Sequence, residues 1–267
     1  MAGPSTLPAV VPSAASLPPR VVLALFLTFN RSFVRDKYQR KPYMAYNREV
    51  KRIKWFLQSA SRVGTQLPIH IIVGPERYLD REAELVRLGA SITPAPAFVQ
   101  PPAFASAHHR LSFGKVSALA LTQFDKVFVL DNDMALVHNV DDLAFAPTPS
   151  AVWHTSVGKF QFKAKETCAV TTGLLGIAPS RREFDRAVAH LATMPSQSTY
   201  DGGDQEFWRG FYRNPPWFEL PLRYQAHQAL RMPLAEWNRV RALHAIYGLR
   251  SVSQLPKVLR PYINYYT

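Results

Sequence analysis

Short apolar runs alternate with amphipathic stretches along the first half of the chain. The apolar runs have the length and β-branched content of buried strands and lie at residues 21–29, 69–73, 90–93 and 126–130. The stretches between them repeat apolar residues at helical spacing and lie at residues 50–63, 79–88 and 113–121. This alternation predicts an α/β protein with a Rossmann-like, mostly parallel sheet flanked by helices and joined by right-handed crossovers.

Local signals set the helix ends and change the pattern in the second half of the chain. Asn47 is the predicted N-cap of the first helix, and Ser180 is the predicted N-cap of a later one. A strand is predicted at residues 170–178, with Gly173 and Gly176 interrupting it. Toward the carboxyl end, frequent prolines disfavour long regular elements and indicate loops draped over the sheet. We expect the sheet in this half to be mixed.

The first 20 residues differ in composition from the remainder of the chain. They contain prolines and small residues with almost no charge, so we expect a disordered tail at residues 1–20 and one domain at 21–267. The run at 21–29 resembles a signal-peptide core, but it lacks a small-residue cleavage site and is too short to span a bilayer. A buried first strand is therefore the better interpretation, and no transmembrane segment is predicted.

The chain is strongly basic, with 32 Lys and Arg against 19 Asp and Glu, a formal net charge of +13. Such an excess favours an anionic partner, which composition alone does not distinguish among nucleotides, nucleic acids, lipids and acidic glycans. Cys168 is the single cysteine, so an intrachain disulfide is excluded.

Two carboxylates end the most apolar strand, at Asp131 and Asp133. Strands tolerate aspartate poorly, and the carboxyl end of a strand is where open α/β sheets bind their ligands. With one residue between them, both side chains can face one hard divalent cation if the backbone turns there. The alternative is a pair of solvated loop acids, and the two residues alone do not decide.

Four blocks of the chain, in order, resemble the glycogenin-like retaining glycosyltransferases of family 8. The first, QFDKVFVLDNDM followed by NVDDL, resembles the family's YDKVLYLDADT and NIDDLF stretches. The others, TGLLGIAPS, DGGDQEF and LPLRY, resemble its NSGVFVIEPS, DGGDQGFLN and LPFRYN stretches. The resemblance covers roughly residues 21–248, and four ordered blocks are far more specific than one acidic pair.

The resemblance implies a GT-A fold, a UDP-sugar donor, retention of anomeric configuration and Mn²⁺ as cofactor. Asp131 and Asp133 are then two Mn²⁺ ligands, and the cation neutralises charge on the leaving diphosphate. His244 is the implied third ligand, with His227 as its competitor. Lys257 is the implied phosphate-binding lysine.

Further site residues follow from the same resemblance. Asp204 is expected near the anomeric carbon with Gln205 beside it, whereas Asp201 is expected to cap the following helix. Lys115 is expected to contact the donor and the acidic cluster. The other implied donor-binding positions are Asn30, Asn132, Thr171, Thr172 and Gly203, with Arg110 as an additional candidate.

The resemblance leaves the acceptor open among glycans, proteins and small molecules. It also leaves open the compartment, cytoplasm or Golgi lumen, and allows a homodimer. An inactive relative that serves as a binding or scaffold protein is a second hypothesis, since the chain departs from the family pattern after His244. A nucleic-acid-binding protein is the third; it ranks last because no RNA- or DNA-binding module is recognisable.

Overall fold

The computed structural model describes residues 20–27, 42–95, 99–105, 109–155, 168–194, 203–213, 216–227, 230 and 232–244. The strands of its main sheet are β1 (Val21–Leu27), β2 (Ile69–Val73), β3 (Ser91–Pro94), β4 (Lys126–Leu130), β6 (Ser150–Thr155), β7 (Cys168–Ile177) and β8 (Phe218–Leu220). The strands of a smaller sheet are β5 (Met134–Leu136), β9 (Ala226–His227) and β10 (Ala242–His244).

The α-helices in the described residues are α1 (Pro42–Val63), α2 (Leu79–Arg87), α3 (Arg181–Thr193), α4 (Asp204–Phe211) and α5 (Leu234–Trp237). The 3₁₀ helices are Arg110–Ala120, Asp141–Phe145 and Leu222–Tyr224. None of the helices in the described ranges combines the length and apolar content needed to cross a bilayer.

The main sheet has the strand order β3-β2-β1-β4-β7-β6-β8. Strands β1 to β4 are mutually parallel, whereas β7 runs antiparallel to both β4 and β6. The mostly parallel α/β architecture expected from the sequence is therefore confirmed, and the antiparallel β7 supplies the mixed character of the second half.

Alternate residues of β1 face the two sides of the main sheet. Leu23 and Leu25 pack in a core with α1, whereas Val22 and Ala24 pack in a core with the 3₁₀ helix Arg110–Ala120 and with α3 and α4. Burial on both faces explains why the strand is apolar throughout, without the polar alternation of a half-exposed strand. The carboxyl ends of β1 and β4 therefore lie between the two cores that cover the faces of the main sheet.

Several elements match their predicted limits and others correct them. Strands β2 and β4 occupy the predicted residues, and the Ser180 hydroxyl accepts a hydrogen bond from the Glu183 N–H at 3.0 Å, as expected of an N-cap. The N-cap prediction for Asn47 is wrong, because α1 already begins at Pro42. The buried side chains of Ala45 and Tyr46 hold this additional turn of helix against the core.

Two further corrections concern regularity. The segment predicted as a helix at 113–121 is a longer 3₁₀ helix, Arg110–Ala120. Strand β7 runs without interruption through Gly173 and Gly176. Both glycines instead allow close approach, since a Cβ at Gly176 would lie 2.7 Å from a ring carbon of Phe128.

Candidate active site

The two acids lie at a tight turn between the main sheet and the smaller one. The Asp131 N–H donates to the Gly173 carbonyl of β7 at 2.9 Å, and the Met134 N–H donates back to the Asp131 carbonyl at 3.1 Å. The chain thus leaves β4, turns and enters β5. The turn places Asp131 and Asp133 on the same side, as the sequence spacing allowed.

Asn132, between the two acids, secures the turn to β1. Its amide donates to the Phe26 carbonyl at 2.8 Å and to Glu49 at 3.4 Å, and its oxygen accepts from the Phe26 N–H at 3.4 Å. These contacts engage the side chain within the protein. The Asn132 side chain thus ties the acidic turn to β1, and its expected role in donor binding stays a prediction.

Lys115 contacts three separate parts of the chain. We define the lysine side of the site as Lys115, Asp204 and the Thr172 carbonyl. Its ammonium lies 2.7 Å from Asp131 Oδ1 and 3.1 Å from Asp204 Oδ2, and it donates to the Thr172 carbonyl at 2.8 Å. An ammonium has three N–H donors, and three oxygens lie around this one. The Lys115 side chain is 1% exposed, so its ammonium is buried among these oxygens.

His244 forms the opposite side. Strand β10 pairs with β5 so that His244 lies across from Met134, beside the acidic turn. Its Nε2 lies 3.2 Å from Asp133 Oδ1 and 3.6 Å from Asp131 Oδ2. Asp131 therefore directs one oxygen toward Lys115 and the other toward His244.

Charges in the site do not balance among these five side chains. Three carboxylates, of Asp131, Asp133 and Asp204, share two groups able to be cationic, Lys115 and His244. Burial raises the pKa of Asp131 above its usual range against the opposing effect of Lys115, and repulsion from the neighbouring carboxylates adds to it. A divalent cation would remove this excess of negative charge.

The remaining shifts follow from the same contacts. Burial acts to lower the pKa of Lys115 and of His244, but the carboxylates outweigh it and raise both. Burial likewise acts to raise the pKa of Asp133, yet His244 and Arg52 hold it below its ordinary value. These shifts favour the charged forms of Lys115 and Asp133.

A glutamine that sequence reasoning missed supports His244. The buried Gln225 accepts from the Leu174 N–H of β7 at 2.9 Å, and its amide nitrogen lies 3.5 Å from His244 Nδ1. Gly173 makes room for this arrangement, because a Cβ there would lie 2.9 Å from His244 Nδ1 and would also collide with Gln225. Together, His244, Asp133 and Gln225 form the histidine side of the site.

Two further residues that the sequence analysis did not identify, Glu49 and Arg52, lie on α1. Arg52 donates to both carboxylate oxygens of Glu49, at 3.1 and 3.3 Å, and Glu49 also accepts from Asn132. Burial acts to lower the pKa of Arg52, but Glu49 and Asp133 raise it. The spacing of these residues on an amphipathic helix gave no signal that they would lie beside the acids.

The structure places the other predicted residues as follows. The Thr171 hydroxyl donates to the Val152 carbonyl at 3.1 Å, so this side chain bonds to the neighbouring strand. Gly203 is the N-cap residue of α4, which puts Asp204 and Gln205 in the first turn of that helix. Arg110 donates to the Ala105 carbonyl at 3.2 Å.

Three predicted residues, Asn30, Asp201 and Lys257, lie outside the described residues, and their roles stay predictions. His227 lies on β9 directly beside His244, with the two rings perpendicular and 5.8 Å apart. Within the described ranges, the side chains grouped so that they could hold a metal ion are Asp131, Asp133 and His244, whose ligand atoms lie within 4.8 Å of one another. Two carboxylates and an imidazole are suitable ligands for a divalent cation such as Mn²⁺.

Comparison with known proteins supports the fold. No protein-family model matches the chain. Uncharacterized protein R707 of Acanthamoeba polyphaga mimivirus is 32% identical over 83 residues, which are 27% of this chain and 29% of that protein. The chain therefore matches less than a third of this relative's length.

Solved glycosyltransferase structures share the architecture. The bifunctional glycosyltransferase WbbM aligns with a TM-score of 0.57 and 11% identity over 95% of this chain and 50% of its own. The glycosyltransferase GlyE of Streptococcus pneumoniae aligns at 0.55 and 15% identity, over 93% of this chain and 60% of its own. The galactosyltransferase LgtC, solved with donor and acceptor sugar analogs, aligns with a TM-score of 0.50 and 14% identity, over 91% of this chain and 99% of its own.

The chain thus spans half to three fifths of the length of the first two structures. At such low identities the likeness concerns the fold. The chain has the GT-A-like fold of glycosyltransferases, and its group of two acids and a histidine lies at the carboxyl end of β4 in that fold.

Proposed function

We propose that the chain is a metal-dependent, retaining glycosyltransferase that moves a hexose or related sugar from a UDP-sugar to an acceptor. The observation that carries the proposal is the convergence of Asp131, Asp133 and His244 at the end of β4 in a glycosyltransferase fold. The four sequence blocks that resemble family 8 support the UDP-sugar donor, the cofactor and retention. The class of acceptor stays open.

Mn²⁺ would be held by Asp131, Asp133 and His244, and when bound would neutralise charge on the departing diphosphate. The protein prepares this position by dividing the oxygens of Asp131. Lys115 holds Oδ1, so Oδ2 stays directed toward the histidine side. Asp133 is kept ionised by His244 and Arg52, which supplies a charged ligand.

Asp204 is suited to act on the sugar. In the transfer, the bond from the anomeric carbon to the diphosphate oxygen breaks with its electron pair on that oxygen, a bond to the acceptor oxygen forms, and the proton of the acceptor hydroxyl passes to the departing diphosphate. Positive charge develops on the sugar ring as the diphosphate leaves. Asp204 is buried and bound to Lys115, and we assign it the role of a fixed negative charge that stabilises that sugar.

The proposal is tested by the release of UDP from a panel of UDP-sugars, with Mn²⁺ and with a chelator. We expect turnover of at least one donor in Mn²⁺, and a loss of about 100-fold or more in Asp133→Ala, since the cation contributes several kcal/mol to the transition state. Asp185→Ala is the matched control, because Asp185 is an exposed acid on α3.

The negative outcomes separate the alternatives. A folded protein that binds UDP and turns over no donor would favour an inactive relative with a binding or scaffold role. A protein that fails to bind UDP and binds RNA with a steep salt dependence would favour the nucleic-acid hypothesis.

A further inference from the structure

Strand β7 serves three parts of the site with three consecutive residues. The Thr172 carbonyl accepts from Lys115, the Gly173 carbonyl accepts from the Asp131 N–H, and the Leu174 N–H donates to Gln225. The first two contacts hold the lysine and the acid directly. The third contact reaches the site indirectly, because it holds Gln225, and Gln225 in turn contacts His244.

We propose that Gln225 is a positioning residue for His244 and thereby sets the cation affinity of the site. This inference rests on the proposed metal centre. Gln225 is 2% exposed, and its main-chain N–H donates to the Leu222 carbonyl at 3.0 Å, so its backbone is fixed as well. Gly173 leaves space on β7 for the glutamine amide and the imidazole to lie side by side.

The orientation of the amide is determined by its partner. Gln225 Oε1 must face Leu174, whose N–H requires an acceptor, so the amide N–H₂ faces His244 Nδ1. This arrangement offers Nδ1 an N–H donor and no oxygen acceptor. Coordination through Nε2, the nitrogen that faces the acids, instead places the proton on Nδ1, and that N–H requires an oxygen partner.

Gln225 can supply the oxygen by exchanging the positions of its two amide atoms. The Leu174 N–H then loses its acceptor and faces an amide N–H₂. A glutamine at this position therefore satisfies one of the two N–H groups at a time, and cation binding proceeds at the expense of the β7 contact. A glutamate has two acceptor oxygens and can satisfy both.

The test measures Mn²⁺ affinity by the loss of the free-ion electron paramagnetic resonance signal. Gln225→Met keeps the approximate size of the side chain and removes both polar atoms, so the imidazole loses the partner that orients it, and we expect about 10- to 100-fold weaker binding. Gln225→Glu is expected to bind at least as tightly as the unsubstituted chain. Chemical unfolding of each variant checks that the fold is retained.

A negative charge at residue 225 could attract Mn²⁺ without any role for the histidine. Both substitutions are therefore repeated in a His244→Ala background, where we expect each effect to fall to less than about threefold. Effects that persist at full size in that background would overturn the inference, as would a Gln225→Met variant that binds Mn²⁺ normally.

Failure of the metal centre is distinguishable from failure of the inference. If His244→Ala alone leaves Mn²⁺ affinity unchanged, the proposed metal centre is wrong and His244 has no ligand role for Gln225 to support. If His244→Ala weakens binding and Gln225→Met does not, the metal centre stands and the inference fails. As a metal-free readout, Gln225→Met should shift the imidazole ¹⁵N signals of His244, whereas unchanged signals would count against positioning.

Discussion

The two sides of the acidic pair are built differently. On the lysine side, Lys115 and Asp204 are 1% and 6% exposed and meet at 3.1 Å. On the histidine side, His244 and Asp133 are 12% and 17% exposed, and His244 lies 3.6 Å from the second acid, Asp131. The lysine side is thus the more deeply buried, and its charged atoms lie closer together than those of the histidine side.

The difference follows from how each side is supported. Lys115 comes from a 3₁₀ helix packed against the main sheet, and its ammonium has three protein oxygens within 3.1 Å. His244 comes from a three-residue strand of the small sheet, and its Nδ1 lies 3.5 Å from the amide nitrogen of Gln225. We therefore expect the lysine side to determine stability and the histidine side to determine cation binding.

The largest effect is expected from Lys115→Met. This substitution leaves Asp131 and Asp204 buried without their shared cation, which should lower the free energy of unfolding by about 3–5 kcal/mol. Urea denaturation measures the loss. Lys51→Met, on the exposed face of α1, is the matched control and should change stability by less than about 0.5 kcal/mol.

Adding Mn²⁺ to the Lys115→Met variant gives a second measurement of the same effect. Mn²⁺ should recover part of the stability lost in Lys115→Met, since it binds the folded acids and adds stability that rises with its concentration. If Lys115→Met unfolds at the same urea concentration as the unsubstituted chain, then the lysine side is not the stabilising one.

The strands that lead to the site, the acidic pair and Lys115 show what the sequence could predict. Strands β2 and β4 were predicted in full because burial on both faces leaves a local signal in the residues themselves. Asp131 and Asp133 were singled out because aspartate at the end of an apolar run is a local anomaly. Lys115 carries no such anomaly, and only its resemblance to a family motif brought it forward.

The histidine side depends on contacts that are distant in sequence. His227 and His244 lie directly opposite each other on the parallel strands β9 and β10, so the choice between them depends on which strand pairs with β5. Gln225 and Gly173 contribute through a shared space that neither residue reveals alone. Asn47 shows the converse error, since tertiary packing extended α1 past a good local cap.

Substitutions at two glycines of β7 should have effects of intermediate size, and they test whether stability and cation binding depend on different parts of the site. A methyl group at either Gly173 or Gly176 overpacks its surroundings, so each Gly→Ala change should lower the free energy of unfolding by about 1–3 kcal/mol. Only Gly173→Ala pushes on Gln225 and His244, and it should weaken Mn²⁺ binding by about 10-fold or more. Titration of both variants with Mn²⁺ makes the comparison.

Gly176→Ala is the control for that titration, because its methyl group meets Phe128 and Ser150 in the sheet interior. It should bind Mn²⁺ like the unsubstituted chain. Equal losses of affinity in both variants would mean that β7 as a whole, and not the space beside His244, determines cation binding.

The smallest effect concerns acid sensitivity, where a histidine away from the site should behave oppositely to His244. Burial lowers the pKa of His70, whose ring lies 3.2 Å from the Thr93 hydroxyl and contacts Phe124. The unfolded chain therefore takes up the proton first as the pH falls through the ordinary histidine value of about 6.5, and stability decreases until the lowered pKa is reached. His70→Gln should remove this decrease.

For His244 the sign is reversed. Its pKa is raised by Asp133 and Asp131 despite burial, so its contribution to stability is complete below the ordinary histidine value and is lost as the pH rises through the raised one. Unfolding measured as a function of pH in His70→Gln and His244→Gln should give opposite changes of slope. Changes of the same sign would mean that the carboxylates beside His244 do not raise its pKa, and the negative charge to be neutralised at the site would then be larger.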